Sequence, residues 1–268
     1  MKSRAEIGVL GGSGFYSFFR GAQGVAVRTP YGSPSAKVTL SEIKGKNVAF
    51  IPRHGAHHEY PPHKVPYRAN LMAFKQMGAS RVIAPNAVGS LKTDIRPGDF
   101  VFCDQFVNFT TGREDTFYDG PVTTHVGMAH PYCQQMRGVA SKSARKLGMR
   151  AHASGTVVVI QGPRFSTTAE SRFFTRQGWD VINMTQYPEA VLAREQELCY
   201  LNISLATDYD AGLEGDPSVK PVSHEEVIKV FNSKMDSLRS LIVEIVKNLP
   251  ERRTCGCGSA LAHARMSA

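Results

Sequence analysis

The chain has 268 residues, of which 42% are apolar and 21% are charged, a composition typical of a globular enzyme. No apolar run approaches the roughly 20 residues that a membrane-spanning helix needs. The apolar run at residues 7–10 is too short for a signal peptide, so we expect a cytoplasmic protein without membrane contact. The net charge is +9, but the Lys and Arg residues are scattered and accompany no nucleic-acid-binding motif. A small anionic substrate is therefore a better expectation than a nucleic acid.

The order of the predicted elements favours an α/β fold. Short apolar runs predict strands at residues 7–10, 48–51, 81–84, 100–102, 156–160 and 203–206. Helical patterns lie between them, at residues 67–77, 130–147 and 168–178. This alternation predicts a sheet with helices on both faces. No linker divides the chain, so we expect a single domain.

The last predicted helix is the clearest. Ser223 and Glu226 have the spacing of a capping box, and apolar residues then recur near the helical period as far as Leu249. We expect this apolar stripe to dock on the sheet. After Pro250 the chain becomes polar and rich in Gly and Ala, which predicts a flexible tail at residues 251–268 beyond a domain at residues 1–250.

Two loops that follow strands are candidates for binding an anion. Gly11-Gly12-Ser13-Gly14 offers backbone N–H groups and a hydroxyl, although it lacks the full dinucleotide and Walker patterns and also suits a plain tight turn. Arg53-His54-Gly55-Ala56-His57-His58 places a guanidinium, which suits phosphate, beside three imidazoles. The alternatives for this second loop are a solvated surface loop and a metal site. No zinc-type spacing supports a metal, and we expect none.

A pair of acids follows the strand predicted at residues 203–206. In Thr207-Asp208-Tyr209-Asp210 the two carboxylates lie at the carboxyl end of the strand, where open α/β sheets place their ligands. Such a pair can bind a metal, act as an acid and a base, or accept hydrogen bonds from an amino group and a ring N–H. A helix cap or a turn is the non-functional alternative.

Seven motifs in this order resemble the trimeric purine nucleoside phosphorylase family, and most closely its 5'-methylthioadenosine phosphorylase branch. The resemblance runs from residue 7 to the last helix. The motifs are Gly11-Gly12-Ser13-Gly14, Thr29-Pro30-Tyr31-Gly32, Arg53-His54-Gly55, Gly89-Ser90-Leu91, Gly162-Pro163-Arg164-Phe165, Asn183-Met184-Thr185 with Pro188-Glu189, and Thr207-Asp208-Tyr209-Asp210.

The resemblance implies a Rossmann-like twisted mixed sheet flanked by helices, in a homotrimer, with a dimer of trimers as the larger alternative. It implies phosphorolysis of 5'-methylthioadenosine, with adenosine as a second candidate substrate, inorganic phosphate as co-substrate and no cofactor. The implied phosphate ligands are Ser13, Arg53, His54, Asn86, Ala87 and Thr185. The ribose would lie on Met184 and the base beside Phe165, with Asp208 and Asp210 at the base edge, while His125 would reach the 5' pocket of the adjacent subunit.

The implied chemistry suits acidic residues at the base edge. Cleavage of an N-glycosidic bond builds negative charge on the departing purine, and a proton shared at N7 stabilises it. We expect Asp208 to hold that proton and Asp210 to accept from the 6-amino group of adenine, or the two to divide both tasks. Two adjacent carboxyls raise the pKa of one of them. An acid at this position favours adenine over a 6-oxopurine, whose carbonyl needs a donor.

Two positions depart from the family pattern. Asn86 stands where a threonine is expected, and its amide retains a donor for phosphate. His224 stands where an aliphatic residue usually faces the 5'-methylthio group. An inward His224 would favour plain adenosine, whereas an outward one is simply an early residue of a capped helix.

The five cysteines do not suggest a required disulfide framework. Cys103, Cys133 and Cys199 lie in apolar or aromatic surroundings and are expected in the core. Cys255-Gly256-Cys257 resembles the CxC tail of some family members from hot environments, and the resemblance implies a role in protecting disulfides. An exposed reactive pair is the functional interpretation, with a disulfide between the two cysteines left open, and an inert mobile tail is the alternative.

Three other functions compete with the adenine-selective phosphorylase. They are a 6-oxopurine phosphorylase, a hydrolase that uses water in place of phosphate, and a non-catalytic protein that binds nucleosides or nucleic acid. The acids at 208 and 210 oppose the first, and the anion-binding loops oppose the second. The third would show salt-sensitive binding to a polyanion.

Overall fold

A mixed sheet of eleven strands forms the centre of the protein in this computed structural model, which describes residues 4–12, 24–212, 219 and 221–265. The strands are β1 (Ile7–Gly11), β2 (Gly24–Val25), β3 (Val38–Ile43), β4 (Lys46–Pro52), β5 (Arg81–Ser90), β6 (Phe100–Val101), β7 (Gln105–Phe109), β8 (Ala151–His152), β9 (Thr156–Ile160), β10 (Val181–Asn183) and β11 (Cys199–Asp208). The helices are α1 (Tyr67–Gln76), α2 (Gln134–Lys146), α3 (Thr168–Arg176), α4 (Gln186–Glu195), α5 (His224–Ser233) and α6 (Met235–Asn248), with 3-10 turns at Pro62–Lys64 and Gly256–Ser259.

The long strand β5 connects the parts of the sheet. The main order is β2-β3-β4-β1-β5-β10-β9-β7, and β11 pairs with β5 in parallel along nearly its whole length. β1 pairs only with residues 81–83 of β5, and β10 joins antiparallel at Gly89 and Ser90. Residues 84–88 therefore have neither β1 nor β10 beside them in register. This opening faces the cavity described below.

Alternating residues of the central strands bury their side chains on both faces of the sheet. In β1, Ile7 and Val9 belong to the core under α2 and α6, whereas Leu10 belongs to the core under α1 and α4. Gly8 has no side chain because the ring of Phe74 in α1 occupies that space: a Cβ would lie 2.7 Å from it. Burial on both faces explains why β1 is a continuous apolar run rather than an alternating one; in β11 the polar Asn202 and Ser204 are buried as well.

The predicted mixed α/β sheet with flanking helices is confirmed, and each predicted strand and helix has a counterpart. The sequence missed β2, β3, β7, β8, β10 and α4. The last helix is a correction. It is two helices that meet at Lys234, where the backbone has φ −103° and ψ 2°. Ser223 does cap α5, since its Oγ accepts from the Glu226 N–H at 3.2 Å.

The second of these two helices supplies the buried residues that were expected of the whole stripe. α6 buries six residues, among them Leu238, Leu241 and Ile245, whereas α5 buries none. In α5, Val227, Ile228 and Phe231 line a cavity, and Phe231 also packs against the core, so the stripe that the sequence predicts as one surface contacts both the core and the cavity.

The expectation of a flexible tail is corrected for residues 251–265. Cys257 and Ala264 are buried, and Arg253 donates to the carbonyl of Glu197 at 2.8 Å. Thr124 and Arg265 form a β-bridge. The segment thus packs along the body of the protein. Among the described residues no helix is long and apolar enough to cross a membrane.

Candidate active site

A cavity of about 950 Å³ opens at the carboxyl ends of the central strands. This is the edge at which open α/β sheets bind their ligands. Residues that line it follow β1, β4 and β10, or lie in the last part of β5 and at the end of β11. Those named by the sequence are Arg53, His54, Asn86, Ala87, Phe165, Met184, Thr185, Asp208, Asp210 and His224.

Ten of the twelve predicted site residues thus line one cavity, and two do not. Ser13 lies outside the described residues, although its neighbour Gly12 lines the cavity. His125 is not among the lining residues, and its backbone N–H donates to the carbonyl of Ala264 at 2.8 Å. A role for His125 therefore needs a cavity other than that of its own chain.

Arg53 lines the cavity, but most of its N–H donors are used in hydrogen bonds within the protein. Its Nε and Nη2 donate to the two carboxylate oxygens of Glu189 at 2.7 and 3.0 Å, and both groups are buried. Nη2 also donates to Leu10 O, and Nη1 donates to Pro85 O. A guanidinium has five N–H donors, so one remains, on Nη1. The positive charge is balanced by Glu189.

His54 is a neutral imidazole in this site. Its Nδ1 lies 2.8 Å from the carbonyl oxygen of Tyr60, which can only accept, so Nδ1 carries the hydrogen. Burial, together with the nearby charge of Arg53, lowers the pKa of His54 to about 4. The ring stacks on His58 with centroids 4.4 Å apart. Face-to-face rings do not converge on one metal position, and Nε2 of His54 is left as an acceptor.

Two neutral side chains offer donors near these residues. Asn86 is buried and its Oδ1 accepts from Ser204 at 3.3 Å, whereas its Nδ2 has no partner among the described residues. An unpaired buried amide costs free energy unless a ligand accepts from it. Thr185 is also buried, and its Oγ1 accepts from Asn183 at 3.5 Å. The Thr185 hydroxyl hydrogen therefore remains available for a ligand.

Asp208 is a buried carboxyl held by two hydrogen bonds. Its Oδ2 accepts from the hydroxyl of Thr207 at 2.7 Å, and its Oδ1 accepts from the backbone N–H of Asp210 at 2.8 Å. Burial nevertheless outweighs these bonds and raises the pKa of Asp208 to about 6. The position of the carboxyl depends on Gly89, because a Cβ there would lie 2.9 Å from Oδ1.

Asp210 is the second buried carboxyl of the cavity. Burial raises its pKa, although the hydroxyls of Ser171 and Ser166 act in the opposite direction. Its Oδ2 has no hydrogen-bond partner among the described residues. Its backbone is left-handed, with φ 48°, an unusual conformation that Asp tolerates better than most residues. Both acids therefore favour the protonated form more than an exposed carboxyl does.

The remaining walls are mostly apolar. Met184 and Phe165 contribute to them, and α5 contributes Val227 and Phe231. His224, the first residue of α5, also lines the cavity; burial, and after it the nearby His224, lowers the pKa of His58. His224 thus lines the cavity as an exposed residue.

Sequence reasoning missed several residues that shape the site. Glu189 was noted only as part of a motif, although it is fully buried and neutralises Arg53. Ser166 and Ser171 near Asp210 were not singled out. No local pattern identifies them, because Glu189 lies 136 residues from Arg53 and the pairing exists only in the folded chain.

Comparison with known proteins defines the class. The family model of the phosphorylase superfamily matches residues 6–247. The chain belongs to this superfamily.

Three relatives illustrate the similarity. The chain is 50% identical to an S-methyl-5'-thioadenosine phosphorylase of Pyrococcus abyssi over 256 residues, which cover 96% of this chain and 97% of the relative. It is 48% identical to a purine nucleoside phosphorylase of Streptomyces coelicolor over 270 residues, which cover 97% and 95%. Its structure is similar to that of methylthioadenosine phosphorylase from Schistosoma mansoni in complex with adenine, with a TM-score of 0.91, 32% identity and coverage of 98% and 99%.

Proposed function

We propose that the protein cleaves 5'-methylthioadenosine with inorganic phosphate, giving adenine and 5-methylthioribose 1-phosphate for purine and methionine salvage in the cytoplasm. The observation that carries the proposal is the polarity of the cavity. One end offers unpaired donors to an anion, and the other presents two buried carboxyls with raised pKa values to a base. The similarity to S-methyl-5'-thioadenosine phosphorylases supports the choice of substrate.

Phosphate binds at the end formed by Gly12, Arg53, His54, Asn86 and Thr185. The Asn86 amide, the Thr185 hydroxyl and the free Nη1 hydrogen of Arg53 donate to its oxygens. HPO₄²⁻ carries one P–OH group, which donates to Nε2 of the neutral His54. The Ala87 backbone and the Ser13 hydroxyl complete this set in the proposal.

The reaction exchanges one bond at C1' of the ribose. The C1'–N9 bond breaks with its electron pair going to the purine, and a phosphate oxygen forms the new bond to C1'. Asp208, in its acid form, gives a proton to N7, and the proton of the bound phosphate replaces it through solvent. Asp210 accepts from the 6-amino group. A positioned general acid contributes roughly 10²–10⁴-fold to such a step.

The 5' group of the nucleoside faces the wall formed by α5. Val227, Ile228 and Phe231 suit a methylthio group, since they make an apolar wall. His224 lies on the same helix and favours adenosine as a second substrate, because an imidazole can donate to a 5'-hydroxyl. Both substrates place adenine against the same acids.

We further propose a homotrimer in which His125 completes the 5' pocket of the adjacent subunit. Exposed aromatic side chains support an interface where Phe109, at 44% exposure, contacts Phe173, at 49% exposure. Light scattering coupled to gel filtration measures the assembly and distinguishes a trimer from a dimer of trimers.

The test is release of adenine or hypoxanthine from 5'-methylthioadenosine, adenosine and inosine, each with and without phosphate. We expect strict dependence on phosphate and the fastest turnover with 5'-methylthioadenosine. Adenosine in first place would assign His224 to the 5'-hydroxyl. Release without phosphate would indicate a hydrolase, and turnover of inosine alone would indicate a 6-oxopurine phosphorylase; either result contradicts the proposal.

The Asp210→Asn variant tests how the base is read. An amide can donate to the 6-carbonyl of hypoxanthine, so the ratio of kcat/KM for adenosine over inosine should fall by about tenfold or more, which corresponds to roughly 1.4 kcal/mol. Asp236→Asn, at a carboxylate that is 96% exposed, is the matched control. An unchanged ratio in Asp210→Asn would refute the assignment of Asp210.

A further inference from the structure

Four of the five cysteines come together away from the active-site cavity. The Sγ atoms of Cys133, Cys199, Cys255 and Cys257 all lie within 4.8 Å of one another, and those of Cys199 and Cys255 are 3.3 Å apart. Three of these residues are buried and Cys255 is half-buried. The fifth, Cys103, lies apart beside Ser204. The pair that the sequence predicted to be exposed therefore belongs to a buried group of thiols.

Three distant parts of the chain build this cysteine cluster. Cys133 is the N-cap of α2, Cys199 is the first residue of β11, and Cys257 lies in the 3-10 turn Gly256–Ser259 next to Cys255. The backbone N–H of Cys133 donates to Tyr200 O at 2.9 Å, which fixes the first two elements together.

The C-terminal segment is held in place by contacts of its own. Gln135 of α2 donates to the hydroxyl of Thr254 at 2.7 Å and accepts from its backbone N–H at 3.3 Å. Arg253 donates to Glu197 O, close to the start of β11. The four sulfurs are thus positioned by contacts that do not involve sulfur.

We propose that this cysteine cluster is a structural zinc site. Tetrahedral coordination with Zn–S distances near 2.3 Å places the four sulfurs roughly 3.8 Å apart. The sulfurs of Cys199 and Cys255 are 3.3 Å apart, and no pair in the cluster is separated by more than 4.8 Å. Four sulfurs in a closed tetrahedral set are typical of zinc among the divalent metals. Binding involves no redox change: each thiol loses its proton to solvent as the Zn–S bond forms, so four protons leave when one Zn²⁺ enters.

The surroundings suit the negative charge of such a centre. Four thiolates and one Zn²⁺ carry a net charge of −2. Cys133 lies at the N-terminus of the thirteen-residue helix α2, whose dipole favours a thiolate. The guanidinium of Arg253 packs over the backbone of Gly258, next to Cys257, since a Cβ there would lie 2.8 Å from Nη2. Positive charge therefore flanks two of the four ligands.

The site would fasten the C-terminal segment to the body of the protein. Beyond the cluster, Ala264 accepts from the backbone of His125, and Arg265 bridges to Thr124. Zinc would thereby also steady the loop that carries His125. This consequence for the 5' pocket rests on the proposed function, whereas the metal site itself does not.

The experiment measures zinc in untagged protein purified under reducing conditions without chelator. We expect about one zinc per chain by elemental analysis, and loss of it in the Cys255→Ser/Cys257→Ser double variant. Cys103→Ser, at a buried cysteine outside the cluster, is the matched control and should keep its zinc. Replacement of zinc by Co²⁺ should give the visible absorption of a tetrahedral thiolate complex.

A second readout follows the coupling of binding to stability. Adding Zn²⁺ to the metal-free protein should raise its Tm, because a ligand that binds only the folded state stabilises it, and should leave the double variant unchanged. Equal zinc content in the wild type and the double variant would overturn the proposal. The proposal would also be overturned if the mass of the non-reduced protein were lower by two hydrogens for each disulfide and the cluster thiols were found to be paired. A metal-free protein whose Tm does not respond to Zn²⁺ would overturn it as well. None of these readouts depends on phosphorolysis.

Discussion

Replacement of Asp208 by asparagine should make the protein more stable at alkaline pH and much less active. In the folded protein the pKa of Asp208 rises from its ordinary value of 3.8 to about 6 because the carboxyl is buried. A raised pKa means that the ionised form is disfavoured in the folded state relative to the unfolded one. The penalty is complete above about pH 6 and disappears as the pH falls below about 4.

The size of the effect follows from the shift. Two pKa units correspond to about 3 kcal/mol at pH 8, and the penalty falls to about 1 kcal/mol at pH 4.5. The amide that replaces the carboxylate would keep one of the two hydrogen bonds accepted from Thr207 and Asp210, and the lost bond costs about 1 kcal/mol. The Asp208→Asn variant should therefore be about 2 kcal/mol more stable at pH 8 and nearly unchanged at pH 4.5.

Thermal unfolding at the two pH values measures this difference. A chain of this length gains roughly 2–4 °C in Tm per kcal/mol, so the variant should unfold about 4–8 °C higher than the wild type at pH 8. Its kcat should fall by roughly 10²–10⁴-fold, because an amide cannot give a proton to N7. Asp236→Asn, at an exposed carboxylate, controls for the change of charge. An equal shift in Tm at both pH values, or full activity, would refute the reasoning.

Two further predictions concern residues that hold the site without entering the reaction. Glu189→Gln should lower the free energy of unfolding by about 3–5 kcal/mol, because it leaves a buried guanidinium without its counter-charge. The control is Glu114→Gln, in an exposed ion pair, which should change the free energy of unfolding by less than about 1 kcal/mol. Equal losses for the two variants in a urea titration would contradict the assignment. Gly89→Ala should displace Asp208 and destabilise the protein by about 1–3 kcal/mol. The control is Gly138→Ala, at a helical glycine with open space around it, which should stabilise the protein if it has any effect. A Gly89→Ala variant with normal activity and stability would disprove the tight contact at Gly89.

Local patterns in the sequence were sufficient for the fold class and for six of the eleven strands in the described part of the chain. Apolar runs between turn residues located β1, β5 and β11, and the cap at Ser223 located the start of α5. The carboxyl ends of these strands then brought the predicted residues to one cavity. Short edge strands such as β2 and β8 carry too few residues for a periodic signal, which explains why they were missed.

Other features depend on contacts that no local pattern contains. The sequence does not show the break between α5 and α6 at Lys234, because the apolar period continues through it. The two helices differ in what they contact in the folded protein, since α5 lines the cavity and α6 is buried in the core. The composition of residues 251–265 predicts mobility, yet the segment packs because Cys257 meets cysteines more than fifty residues away. Tertiary contacts override local preference in both cases.

The charges of the site have a further consequence for the order of events. At the phosphate end the cation of Arg53 is cancelled by Glu189, and His54 is neutral, so a bound phosphate dianion is not neutralised by a full positive charge. The dianion therefore adds to the burial that already raises the pKa of Asp208. Phosphate binding and protonation of Asp208 then favour each other, because each makes the other less costly. Under the proposed function, the nucleophile that attacks C1' thus helps to place the proton that the departing purine needs.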